Sequence, residues 1–304
     1  MTTVAKNTGR ESATYKLPLA YPFRWEGLEA FTYPVDQTGV PLVAMGPEVG
    51  LRYNPVTIAQ FGLFNLQQFS STAESRFLAC ARLCVSWLLD NFRPWRDGIG
   101  AWVYDFDLDF YGPKAPWISG MAQGQGISLL LRFCQIEQVD NIREITRQAF
   151  QAFLHPVTQG GVAAAFQDGS LVFEEFTTQV PSRVLNGHLF ALLGIHDYAC
   201  FWQEKAAKEL FEVASSGLAN NLSRYDTGYW NLYDLHPTRR LASPMYLKVH
   251  VQLLTILAEL TGQSAFSETA EKWRGYGRNP FCRARWLFAK MVEKMRLLVP
   301  HAAN

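Results

Sequence analysis

Residues 161–176 read GVAAAFQDGSLVFEEF, and after a short loop residues 184–198 read VLNGHLFALLGIHDY; the order of these two stretches decides the fold. The first alternates around Asp168-Gly169, a dipeptide that suits a tight turn between two strands. The second is apolar at helical spacing on almost every face, as expected of a helix enclosed by others. The same order recurs on both sides. Upstream, residues 98–112 (GIGAWVYDFDLDFYG) precede an apolar helix from Met121; downstream, residues 225–235 (YDTGYWNLYDL) precede one from Tyr246. The interval is about sixty residues each time, a weak internal repeat of hairpin, inner helix and outer helix. Helix pairs of this kind stack around an axis. The fold class expected is mainly α: an incomplete (α/α) toroid of paired helices, with β-hairpins framing a cleft at one end.

Further helical periodicity covers residues 56–69, 74–91, 118–135, 142–154, 201–222, 246–260, 265–276 and 283–298. Before it, Pro18, Pro22, Pro34, Pro41 and Pro47 punctuate short extended pieces. Two parts are therefore expected: residues 1–50 as an extended arm or small β-element, and residues 51–304 as the toroid.

The 304 residues carry 28 Lys and Arg against 27 Asp and Glu, a balance that argues against phosphate-neutralising nucleic-acid binding. With 48% hydrophobic residues a sizeable core is expected and disorder is excluded. The longest uncharged stretch, residues 115–131, is broken by proline, glutamines and glycines and does not read as a membrane span. Residues 1–10 are polar and lack the apolar core of a secretory signal. Cys80, Cys84, Cys134, Cys200 and Cys282 are odd in number, lie mostly in helical stretches and form no CxxC pair, which favours reduced structural thiols and a cytoplasmic location. No cofactor and no metal site are expected.

Familiar motifs fail on detail. Gly124-x-Gly126 lies within a helix and has Leu129 where a dinucleotide loop needs its third glycine. Asp105, Asp107 and Asp109 mimic a calcium loop, but Phe110 and Pro116 occupy its glycine and glutamate positions, and alternation along a strand explains them better. What remains gathers in the second and third repeats: Glu174-Glu175-Phe176, Arg183-x-x-Asn186-Gly187-His188, and Ser243-Pro244-Met245-Tyr246 with Lys248 and His250. Ser243 and Pro244 suit a helix start. Tyr246 would then sit in the first turn, where the helix dipole favours a phenolate and hence a tyrosine base; a packed core aromatic is the alternative.

The run Arg224-Tyr225-Asp226-Thr227-Gly228-Tyr229-Trp230-Asn231-Leu232-Tyr233-Asp234-Leu235, followed by residues 241–250, Glu259–Gly262 and Trp273–Tyr276, resembles the C-terminal domain of the D-glucuronyl C5-epimerase family. Residues 53–62 (YNPVTIAQFG), 121–128 (MAQGQGIS) and 174–187 extend the resemblance upstream, in order. The resemblance implies inversion of C5 of glucuronate within a polysaccharide, giving iduronate, as in heparan sulfate biosynthesis from heparosan. It implies Glu175, Tyr233 and Tyr246 as catalytic residues. A third family tyrosine falls on Phe176 and an arginine on His236, so substrate or activity can have drifted. Arg183, Arg239 or Lys248 are candidates to compensate. An N-terminal β-domain with a calcium site, carried by the animal enzymes, is mostly without counterpart here.

On this reading Tyr246 and Glu175 serve opposite faces of C5 and Tyr233 assists, while Gln123, Gln125, Asn186, His188 and His250 are candidate sugar-binding groups beside Arg183, His236, Arg239 and Lys248. A phenol near 10 and a carboxyl near 4.3 must both move toward the working pH, the first lowered by a cation and the second raised by burial. Three rivals stay open: a polysaccharide lyase, a glycoside hydrolase using Glu175 and Asp234, and an inactive glycan-binding module. The partner expected is a uronate polysaccharide, and homodimerisation is left open. The basic, amphipathic stretch 272–296 is read as a cap on the core with its charges exposed; weak contact with an anionic membrane is the alternative.

Overall fold

The computed structural model describes residues 16–25 and 31–298, so the polar segment 1–10 lies outside the described residues. Four helical hairpins follow one another: α1 (Pro55–Thr72) with α2 (Ser75–Asp90), α3 (Gly120–Phe133) with α4 (Ile142–Gln151), α5 (Leu185–Trp202) with α6 (Lys205–Asn221), and α7 (Pro244–Thr261) with α8 (Ser264–Arg278). The first member of each pair is inner. Helix α1 packs on α3, α3 on α5 and α5 on α7, giving the arc of an (α/α) toroid. Every residue of α3 is buried, which is why its sequence shows no polar face. Helix α4 buries only Thr146, Ala149 and Phe150 and turns its charges outward.

The glycines of α3 and α5 are packing devices. A Cβ on Gly194 would stand 2.2 Å from the Gly124 Cα, and one on Gly124 would stand 2.9 Å from the Ala191 Cα, so the two backbones touch. Gly126 makes room for the Trp102 indole in the same way.

Short sheets connect the pairs. Strands β1 (Val43–Ala44) and β2 (Leu51–Arg52) pair before α1. Strands β3 (Phe92–Arg96), β4 (Ile99–Tyr104) and β5 (Trp117–Ile118) form an antiparallel sheet in that order before α3. Strands β6 (Ala163–Ala165) and β7 (Leu171–Phe173) form the hairpin before α5, with Gly169 at φ +85° in its turn. Two expectations need correction. Strand β4 ends at Tyr104, so Asp105, Asp107 and Asp109 lie in a loop; Asp107 Oδ1 accepts from the Ala115 N–H at 2.8 Å and Oδ2 from Lys114 Nζ at 2.8 Å. Residues 225–235 form no hairpin of strands. A short 3-10 turn (Leu222–Tyr225) leads into the isolated bridges Asp226–Asn231 and Leu232–Leu241, because Asp226 is engaged by the Gly228 N–H, Trp273, Tyr276 and Lys272.

The segment before α1 inserts into the core: Leu17, Tyr21, Phe23 and Trp25 are buried, Phe23 against Phe190 of α5 with ring centroids 5.1 Å apart. Each such side chain contributes about 1.5–3 kcal/mol by leaving water. At the other end, α9 (Pro280–Leu298) docks through Trp286, whose Nε1 donates to the Ala242 carbonyl at 2.9 Å. It exposes more than charges: Phe281, Leu287, Phe288, Met291 and Met295 also face outward. The side chains of Arg296 and Leu298 lie outside the described residues. No helix among the described residues is long and apolar enough to cross a membrane.

Candidate active site

The inner helices run parallel, and their N-terminal turns converge on a cleft of about 410 Å³. Val56, Thr57 and Gln60 of α1, Met121 of α3, Asn186 and Phe190 of α5, and Met245, Tyr246 and Val249 of α7 line it. Side-chain caps sharpen three of these starts: Asn54 accepts from the Val56 N–H at 3.0 Å, Ser119 from Ala122 at 3.4 Å and Ser243 from Tyr246 at 3.2 Å. At α5 the Tyr233 carbonyl takes that role, accepting from the Leu185 N–H at 3.0 Å. Four positive dipole ends thus face one space, an environment suited to an anion.

Two successive glutamates leave β7 and meet different fates. Glu174 is anchored: its oxygens accept from the Ser182 N–H (2.9 Å), Ser182 Oγ (2.7 Å) and the Arg183 N–H (3.0 Å), while its carbonyl accepts from the Gly120 N–H (2.9 Å). Glu175 turns into the cleft, where its only hydrogen bond among the described residues is a 3.4 Å contact from Asn186 Nδ2. Gly187 opposite it leaves the space it occupies, since a Cβ there would stand 2.6 Å from Glu175 Oε2. Burial, reinforced by the Glu174 charge, pushes the Glu175 carboxyl up to about 8.

Tyr246 lines the same cleft at the start of α7, and the Tyr233 ring lies 4.6 Å from its ring. Burial and the Glu175 charge push Tyr246 up to about 12, against a lowering by the Tyr233 hydroxyl; Tyr233 is raised well above 10, by burial first and then by Glu175. A phenolate stabilised by the helix dipole and a cation was expected here. The outcome differs because burial and the Glu175 charge raise the phenol, and no cation among the described residues acts on Tyr246 to lower it.

The other sequence candidates divide. Asn186 is in the cleft, its Oδ1 without a partner. Gln123 and Gln125 are buried in α3, with Gln123 Nε2 donating to the Trp102 carbonyl at 3.4 Å. His188 and His250 are buried: His188 Nδ1 accepts from the Phe173 N–H at 3.1 Å, and Asn231 Nδ2 donates to His250 Nδ1 at 2.6 Å. Burial lowers both to about 3, so both are neutral at physiological pH. Lys248 is exposed and does not line the cleft. Arg183, His236 and Arg239 meet one another in a second cavity.

Sequence reading missed a group behind the cleft wall. Phe176, on that wall, packs 5.0 Å from the Tyr111 ring. Tyr111 donates to the carboxylate of the fully buried Asp234, and the Arg240 guanidinium lies 4.5 Å over the Tyr111 ring and 3.6 Å from Asp234. Tyr111 and Asp234 are 123 residues apart, and only the acidic, aromatic character of 104–111 hinted at such a role.

A family model described as D-glucuronyl C5-epimerase C-terminus matches residues 96–275. The chain is 32% identical over 177 residues to a D-glucuronyl C5-epimerase of Caenorhabditis elegans, covering 53% of this chain and 29% of that protein. It is 25% identical over 176 residues to an uncharacterised protein of Methanocaldococcus jannaschii, covering 57% of this chain and 56% of that one. The chain thus spans about a third to a half of these relatives. A GH76 α-mannanase of Bacteroides thetaiotaomicron superposes with a TM-score of 0.51 at 12% identity, over 74% of this chain and 61% of that one, a likeness of fold alone. Since the family match takes in the β6–β7 hairpin, Glu175, Tyr233, Tyr246 and more than half of the residues, the chain belongs to the D-glucuronyl C5-epimerase C-terminal family.

Proposed function

We propose that the chain inverts C5 of D-glucuronate residues within a polysaccharide, giving L-iduronate, by removing and returning the proton α to the carboxylate. The observation that carries this is Glu175: a carboxyl raised to about 8 shares a cleft with a protonated Tyr246 under four helix N-termini. The Glu175 carboxylate takes the C5 proton, the electron pair passes into the sugar carboxylate as an enolate, and the Tyr246 phenol protonates the opposite face. Helix N-termini are suited to offset the enolate charge. The proton returns from Glu175 to Tyr246 through Tyr233 or solvent, and the reverse reaction exchanges the two roles. His236 lies in the second cavity, so the reacting carboxylate is held by the helix ends rather than by that histidine. Phe176 carries no hydroxyl and serves as an apolar wall that helps to keep Glu175 desolvated.

Proton NMR of an unsulfated heparosan-type polymer incubated with the protein in deuterated water tests the reading. Deuterium at C5 with new iduronate signals is expected. An unsaturated, ultraviolet-absorbing product would replace it with a lyase, and a new reducing end with a hydrolase.

A further inference from the structure

We propose that the cavity between the loops preceding α5 and α7 is a second anion subsite, holding an anionic substituent of an acidic polysaccharide at a sugar beyond those adjoining the reacting one; the identity of that polymer rests on the epimerase reading. The cavity, of about 420 Å³, is lined by Arg183, Arg224 and Arg239 with His236, and by no Asp or Glu. Their contacts are to neutral oxygens: Arg183 Nε donates to the Ala165 carbonyl (2.9 Å), Arg239 Nη2 to the Arg224 carbonyl (3.3 Å) and Arg224 Nη1 to Asn221 Oδ1 (3.5 Å). None of the three is ion-paired among the described residues, whereas the neighbouring Arg240 pairs with Asp234. Glu174 lies beneath, its oxygens occupied by Ser182 and the Arg183 N–H.

Three like charges around one space repel, and an anion placed among them relieves that repulsion. Guanidinium forks match the paired oxygens of a carboxylate or sulfate. The backbone is shaped for this display: Arg183 (φ 49°) and Arg239 (φ 43°) both adopt the left-handed conformation, uncommon for residues with a side chain. The cavity is also within reach of the cleft. Phe176 on the cleft wall contacts Tyr111, and the Tyr111 ring lies 5.3 Å from His236, so a chain leaving the cleft along this rim passes the arginines.

The test is binding of unsulfated glucuronate oligosaccharides, a trisaccharide and an octasaccharide, at low and high salt. Arg224→Gln/Arg239→Gln is expected to bind the octasaccharide about tenfold or more weakly with a flatter salt dependence, while trisaccharide binding stays unchanged. Arg224→Lys/Arg239→Lys should recover part of the loss, which a folding defect would not allow. Unchanged octasaccharide binding, or equal loss for both lengths, would overturn the subsite. An N-sulfated octasaccharide separates the two anions: a larger arginine-dependent gain than for the unsulfated chain assigns sulfate, and an equal one assigns carboxylate. Arginine-dependent binding without C5 exchange would overturn the epimerase reading and leave the subsite standing; C5 exchange with arginine-independent binding would do the reverse.

Discussion

The two ends of the α3–α5 helix pair each enclose a carboxyl group, and the protein treats them in opposite ways. At the C-terminal end Asp197 is met by Arg132 through two bonds of 2.5 and 3.0 Å and by Ser128 Oγ at 2.6 Å, with the Tyr21 ring 4.9 Å from the guanidinium. Both oxygens of that carboxyl group are answered, and its role is structural. At the N-terminal end Glu175 has one long bond from Asn186 and a tyrosine pair nearby. Its charge is therefore expensive and its proton is available. Burial alone does not make a carboxyl reactive; burial without a counter-charge does.

Removing the reactive carboxyl should have the largest effect. Glu175→Gln is expected to lower turnover about a thousandfold, the range for a lost general acid–base group, with no loss of stability. Loss of fold together with activity would mean that Glu175 is structural like Asp197. Next comes the closed end. Arg132→Met leaves Asp197 buried and unpaired and should cost about 3–5 kcal/mol in denaturant unfolding, and Arg132→Met/Asp197→Leu should recover most of it. An unpaired Asp197 that cost nothing would erase the contrast. The smallest effect is a matter of pH. The Glu175 carboxyl is near 4.5 when unfolded and about 8 when folded, so the folded state prefers the neutral form. That preference is fully expressed below pH 4.5 and is lost as pH rises toward 8. The melting temperature of Glu175→Gln should therefore match the parent at pH 4, exceed it increasingly up to pH 8 and then hold a constant lead.

Much of this was legible in the chain. The turn at Asp168-Gly169, the Ser243-Pro244 helix start and the helix pairs at intervals of about sixty residues resolve as read, because each depends on neighbours in sequence, whereas the hairpin expected at 225–235 does not form. The Tyr233 and Tyr246 rings lie 4.6 Å apart, and the Glu175 charge acts on both phenols. Side-chain direction separates the remaining candidates. His188, His250, Gln123 and Gln125 fall within the inner helices as expected, yet their side chains are buried, and Lys248 on α7 faces solvent. Arg183 and Arg239, both at left-handed φ, line another cavity instead of the cleft. Tyr111 was missed because its partner comes from a different repeat.

The sequence by itself determined the helix pairs, their inner or outer rank and the β6–β7 hairpin, since periodicity and turn chemistry act over a few residues. Only the tertiary structure decided the rest: that four helix N-termini share one cleft, that Glu175 lacks a counter-charge among the described residues while Asp197 has one, and that burial beside Glu175 raises Tyr246. Those outcomes depend on which groups from distant repeats arrive within a few ångströms of a charge. Electrostatic energies in a low-dielectric interior turn on that distance, which no local pattern encodes.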